Sequence, residues 1–193
     1  MKRLFAAATL ALLPVIAMAQ EPVPDTPTPD TNTEVDPQAA PVEPAMTLER
    51  MNQIITTLDP GAQTNGKLWQ LTIAETELLI VTDPDSDRMR ILSPIQNADE
   101  VSSDKLNRMM QANFDTALDA RYALAKGTLW STYIHPLSPL EKDQLISGIG
   151  QVVNLVKTYG TLYSGGALQY GGGDSAPLQR QLIDDLLKKG EEI

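Results

Sequence analysis

KLWQLTIAETELLIVTDPDSDRMRIL, residues 67–92, holds three strand signals and the turns between them. Within 67–74, Trp69, Leu71 and Ile73 alternate with Gln70, Thr72 and Ala74, the period of two that marks a strand buried on one face. Within 77–82 the run Leu78-Leu79-Ile80-Val81 is apolar on both faces, which suits a central strand. Within 88–92, Met89 and Ile91 alternate with Arg88 and Arg90, and residues 83–87, with Pro84, form the connecting loop.

Helical signals flank this block. Leu48, Met51, Ile54, Ile55 and Leu58 recur at helical spacing from Thr47, and Asp59-Pro60-Gly61 ends the run. A second helix starts near Ser102-Ser103-Asp104, which supply a cap and an acid in the first turn. Its expected buried stripe is Leu106, Met109, Met110 and Phe114. Two more strands are expected at 121–125 and 128–134, turned by Lys126-Gly127. Ser138-Pro139-Leu140-Glu141 reads as a capping box with proline at the first helical position. The helix it would open carries Leu145, Ile149, Val152, Val153, Val156 and Tyr159 on one broad face. The order helix, three strands, helix, two strands, helix predicts an α+β domain, one antiparallel sheet with helices packed on it.

The remaining segments differ in character. Lys2 and Arg3 precede an apolar run that ends in Ala17-Met18-Ala19, the pattern of a secretory signal cleaved between Ala19 and Gln20. The run is too short to span a bilayer as a helix. Residues 21–45 carry seven prolines and six acids, with no base and no aromatic. Ordering them would cost on the order of 25–50 kcal/mol of backbone entropy. Their three valines return at most roughly 5–9 kcal/mol. The expected organisation is therefore a signal peptide over 1–19, a disordered acidic leash over 20–46 and a folded domain over 47–168. A Gly-rich linker and a short amphipathic helix follow over 169–193, with Leu178, Leu182, Ile183, Leu186 and Leu187 on one side of that helix.

Composition restricts the partners. The chain carries a net charge of −10, and losing Lys2 and Arg3 with the signal takes it from −10 to −12. Such a surface repels phosphate backbones, so no nucleic-acid partner is expected. There is no cysteine, hence no disulfide and no lipidated N-terminus. No second apolar run is long enough to span a membrane. The expected location is the periplasm, with secretion as the alternative.

Four short stretches carry a family likeness. Asn113-Phe114-Asp115-Thr116-Ala117-Leu118-Asp119-Ala120-Arg121-Tyr122-Ala123, Leu129-Trp130-Ser131, His135-Pro136-Leu137-Ser138 and Tyr159-Gly160-Thr161 resemble the YbjN-type proteins, which are related to type III secretion chaperones. The resemblance spans about residues 47–168. It implies a secretion-chaperone-like helix–sheet domain of a kind that commonly forms a homodimer and binds polypeptide segments, and it does not imply a catalytic activity.

His135 is the only histidine, and Ser131, Ser138, Asp115 and Asp119 would complete a triad on paper, but no nucleophile elbow surrounds either serine. Asp115 and Asp119 lie four apart with Arg121 as counter-charge, which favours a structural ion pair. Asp83-Pro84-Asp85-Ser86-Asp87 imitates half a calcium loop, then has Arg88 at the sixth position and Pro94 at the twelfth. A hairpin turn explains it better. No cofactor or metal is expected. Trp69, Trp130 and Tyr133 would line either the core or a recognition face. The expected partner-binding set is Trp130, Tyr133, Leu178, Leu182, Ile183 and Leu186, for a protein or peptide. The alternatives are a small periplasmic hydrolase or ligand-binding enzyme using His135, and a structural envelope component with a Pro-rich leash.

Overall fold

In the computed structural model the described residues are 43–115, 118–158 and 177–191, without the side chains of Asp115, Leu178 and Gln179. The signal cleavage site, most of the leash, Tyr159-Gly160-Thr161, the glycine-rich linker and the Leu178 side chain lie outside them. The elements are α1 (Leu48–Leu58), β1 (Gln63–Thr64), β2 (Leu68–Ile73), β3 (Thr76–Asp83), β4 (Arg88–Asn97), α2 (Ser103–Asp115), β5 (Arg121–Ala125), β6 (Thr128–Pro136), α3 (Lys142–Thr158) and α4 (Pro177–Gly190). All strands join one antiparallel sheet in the order β1-β2-β3-β4-β6-β5. The fold class is α+β, with the expected order of helices and longer strands and two additions, the two-residue β1 and a short 3₁₀ turn at Ala98–Glu100.

One face of the sheet and the apolar sides of the helices make the core. Trp69, Leu71, Ile73, Leu78, Ile80, Met89, Ile91, Leu129 and Tyr133 are buried together with Met51, Ile54, Ile55 and Leu58 of α1 and Leu145, Ile149, Val152 and Val153 of α3. Each large aliphatic or aromatic side chain there stabilises the fold by roughly 1.5–3 kcal/mol. The Trp69 indole also donates to Asn52 Oδ1 at 2.9 Å, which settles its one polar atom. Along β6 the pattern alternates: Leu129, Ser131 and Tyr133 point into the core, while Trp130, Thr132 and Ile134 point to the other face.

Four expectations are corrected by hydrogen bonding and steric detail. Strand β4 runs to Asn97 rather than ending at Leu92. Pro94 is tolerated because the ladder to β3 stops at Leu79↔Leu92, and the Glu77 carbonyl accepts instead from Ser93 Oγ at 2.7 Å. The register against β6 shifts between Pro94 and Gln96. Next, α3 starts at Lys142, not at Pro139. Asp87 takes the Ser138 N–H and hydroxyl at 2.7 and 2.9 Å, so Ser138 cannot cap a helix. The cap falls to Glu141, whose carbonyl accepts from Leu145 N and whose N–H donates to Gln144 Oε1 at 3.0 Å.

The third correction concerns α2. Met109 and Ala112 are buried, whereas Met110 and Phe114 are 50% and 73% exposed. Asn113 sets that rotation: its Oδ1 accepts from Tyr122 N at 2.7 Å and its Nδ2 donates to Tyr122 O at 3.0 Å. The amide thus mimics a neighbouring strand on the β5 edge, and turns Phe114 outward. The fourth concerns the start of the ordered chain. Met46 is 4% exposed and its N–H donates to Ser138 O, so part of the segment assigned to the leash belongs to the core. Glu43 accepts from Lys142 N at 3.0 Å at the head of α3 and pairs with the Arg50 guanidinium.

The C-terminal helix closes on its own domain. Ile183 and Leu186 are buried against α3, where Gly150 makes room: a Cβ there would sit 2.8 Å from Ile183 Cγ1. Lys189 Nζ donates to Leu58 O at 2.8 Å and Lys142 Nζ to Gly190 O at 3.1 Å. Gly150→Val should therefore force α3 and α4 apart. Urea unfolding should show a loss of about 1–3 kcal/mol from overpacking, with faster trypsin cleavage at Lys188 and Lys189.

A second expectation concerns pH. The Lys142 N–H, then the Arg50 guanidinium, hold the Glu43 carboxyl below its ordinary value of 4.5. The Ser138 N–H and hydroxyl hold Asp87 below its ordinary 3.8. Folded values below unfolded ones mean that these contributions are complete above the ordinary values and are lost as pH falls through the folded ones. In denaturation series between pH 6 and pH 3, Glu43→Gln and Asp87→Asn should each flatten the acid loss seen in the parent chain.

Candidate functional site

The sheet ends unevenly. Strand β6 pairs with β4 along its whole length, from Asn97↔Thr128 to Arg88↔Pro136, but with β5 only from Ala125↔Thr128 to Arg121↔Thr132. Beyond Thr132, no strand among the described residues lies on the β5 side of Tyr133 to Pro136. Gln151 explains why. Its side chain is buried in α3, and its Oε1 accepts from Asp119 N at 2.8 Å and Ala120 N at 3.0 Å. Its Nε2 donates to Ser147 Oγ at 3.2 Å and Asp119 Oδ2 at 3.4 Å. The chain entering β5 is thus drawn toward α3, and a notch of about 550 Å³ opens beside the bare end of β6. Asp119, Arg121, Ile134, His135, Asp143 and Ser147 are among the residues that line it.

The side chains at the notch have definite roles. The rings of Tyr133 and His135 stack at 6.0 Å with planes 3° apart. Tyr133 lies under α3, where a Cβ on Gly148 would come within 3.0 Å of its ring. Burial, helped by the Asp119 charge, pushes its hydroxyl up to about 12, so it stays a neutral phenol at physiological pH. The His135 Nδ1 lies 2.8 Å from Pro136 O, a carbonyl that can only accept, so that nitrogen is the donor. Among the described residues no hydrogen bond joins His135 to a serine or a carboxylate, so the paper triad has no geometry behind it. Arg121 donates to the Leu118 and Ala120 carbonyls instead of bridging to Asp119. Helix α2 ends at Asp115, so the Asp115–Asp119 pair does not share a helix face.

The expected partner-binding residues are separated by the fold. Trp130 is half-buried on the sheet face away from Tyr133, with its indole N–H on Ala125 O at 3.0 Å. Tyr133, Ile183 and Leu186 are buried within the chain, and Leu182 packs partly buried against the core. What remains outside is a different apolar set. Met110 and Phe114 of α2 border the β5 edge, where Leu124 is 50% exposed, and Ile134 beside the notch is 55% exposed. Asn113, Gln151 and Ile134 were not anticipated as functional. Gln151 had left a trace, one long polar side chain amid the apolar run from Leu145 to Val156.

The acids of 83–87 serve the hairpin. Asp83 Oδ1 accepts from Ser86 N at 3.2 Å, and Asp87 is held by Ser138. Among the described residues no three metal-ligating side chains converge, and no helix is long and apolar enough to cross a membrane.

No family model matches the sequence, and no curated protein matches it. Solved structures do align with it, among them two complexes. The crystal structure of the ExsC–ExsE complex aligns over 59% of this chain and 96% of that one, at 8% identity and a TM-score of 0.45. The HopA1–SchA chaperone–effector complex aligns over 56% and 91%, at 9% identity and a TM-score of 0.44. Neither correspondence is close enough to give any residue here a role.

Gln151→Leu should leave two backbone N–H groups without their acceptor. It should destabilise the fold by roughly 2–4 kcal/mol in denaturant titrations, at about 1–3 kcal/mol for each unsatisfied group.

Proposed function

We propose that the chain is a non-catalytic protein-binding module, exported to the periplasm, which pairs with a second copy and holds a polypeptide segment of an envelope partner. The observation that carries this reading is the outward display of Met110, Phe114 and Leu124 along α2 and the edge strand β5. An edge strand with exposed apolar neighbours is a template for pairing with another chain. The Asn113 amide blocks the edge at Tyr122, so association there is directed to side chains rather than to an open ladder. The resemblance to YbjN-type proteins and the leader-like pattern of residues 1–19 support the same reading. The membrane-facing option is disfavoured by the net charge of −10.

Light scattering on the purified chain should return the mass of two copies at tens of micromolar. Phe114→Asp should return one copy with unchanged circular dichroism. A wild-type monomer at that concentration would contradict the pairing. Export has its own check: mass spectrometry of the periplasmic fraction should find a product that begins at Gln20, and an intact product confined to the cytosol would contradict it.

A further inference from the structure

The notch beside Ile134 is the unfinished end of a ladder. Leu137 N donates to Asp87 O, which shows that odd-numbered residues at this end of β6 turn their backbone groups toward β4. In an antiparallel ladder direction alternates from residue to residue, so the N–H and C=O of Ile134 face the gap. Tyr122 confirms the phase from the other side: its backbone groups face Asn113, which leaves Arg121 to pair with Thr132. Among the described residues nothing meets the Ile134 pair across the gap. The next carbonyl on that side, Pro136 O, is already met by His135 Nδ1, and proline brings no donor. One donor and one acceptor are therefore presented side by side at the mouth of a cavity of about 550 Å³.

Charge selects what could pair with them. On the outward face of the sheet Arg90 stands opposite Ile134 and Arg88 opposite Pro136, with Arg121 at the start of β5. None of the three forms an ion pair among the described residues, in a chain of net charge −10. On the inward side the notch is lined by Asp143, Gln144 and Ser147 of α3 and by Asp119, whose carboxylate accepts from Gln151 of the same helix. An added strand sends alternate side chains to opposite faces. Carboxylates on the outward positions would lie beside Arg121 and reach toward Arg90 across Ile134, and small hydroxyl side chains on the inward positions would avoid Asp119 and Asp143.

We propose that this notch takes an extended polypeptide segment of a partner protein, with acidic residues alternating with small polar ones, as a short strand added to β6 at Ile134. This rests on the protein-binding reading and narrows the partner to one chemistry.

The test uses the full chain and a fluorescein-labelled, end-blocked heptapeptide, Thr-Glu-Thr-Glu-Thr-Glu-Thr, read by anisotropy at low salt. Binding should be saturable and about tenfold weaker for the peptide with lysine in place of glutamate. N-methylating the glutamate nitrogens keeps the charge and removes donors, and should also weaken binding about tenfold, the equivalent of one net hydrogen bond. Ile134→Pro removes a donor that faces the gap rather than β4, and should do the same, while Arg90→Glu should weaken the acidic peptide alone. No binding of the acidic peptide at about 1 mM, or binding that neither N-methylation nor Ile134→Pro alters, overturns the notch. Light scattering then still decides the pairing reading by itself, so the two failures are separable.

Discussion

Strand β6 is gripped on one side along its full length and on the other along little more than half of it, and most of the molecule can be understood from that inequality. The β4–β6 pairing fixes the register of the sheet centre and places Leu129, Ser131 and Tyr133 under α3. Where β5 covers β6, the edge is finished by Asn113. Where it does not, Gln151 diverts the chain into α3, and the ladder stops with a residue still able to pair. Two amide side chains thus decide where the sheet is closed and where it is open.

Much of the architecture was legible because it rests on periodicity. The alternation of Trp69, Leu71 and Ile73, the helical recurrence of Met51, Ile54, Ile55 and Leu58 and the Lys126-Gly127 turn each express one local preference that nothing distant opposes. The misreadings share the opposite property. Ser138 looked like a cap until Asp87, 51 residues away, claimed both its donors. The third strand of the block is legible only as far as Leu92, because the tolerance of Pro94 within it depends on where β3 ends. Met110 and Phe114 fit a helical stripe as well as Met109 does. The bonds from Asn113 to Tyr122, outside the helix, accompany the rotation of α2 that buries Met109 and Ala112.

The candidate surface was less legible than the fold for the same reason. The apolar residues that the sequence offers for binding are spent elsewhere: Ile183 and Leu186 close the core and Tyr133 is covered by α3. The surface features that survive folding are positional. Ile134 is an ordinary strand residue in sequence, and its exposure follows from the length of β5 and not from its own chemistry. Arg88 and Arg90 read as the polar half of an alternating strand, and become a cationic rim only once β6 and β5 are set beside them.

The most direct check of this account is residue-resolved amide hydrogen exchange along β6. Tyr133 and His135, whose N–H groups face β4, should be protected to the level of the sheet core. Ile134, between them, should exchange as a solvent-facing amide, orders of magnitude faster. Equal protection of all three would mean that the end of β6 is already covered, and would contradict the open ladder on which the proposed site depends.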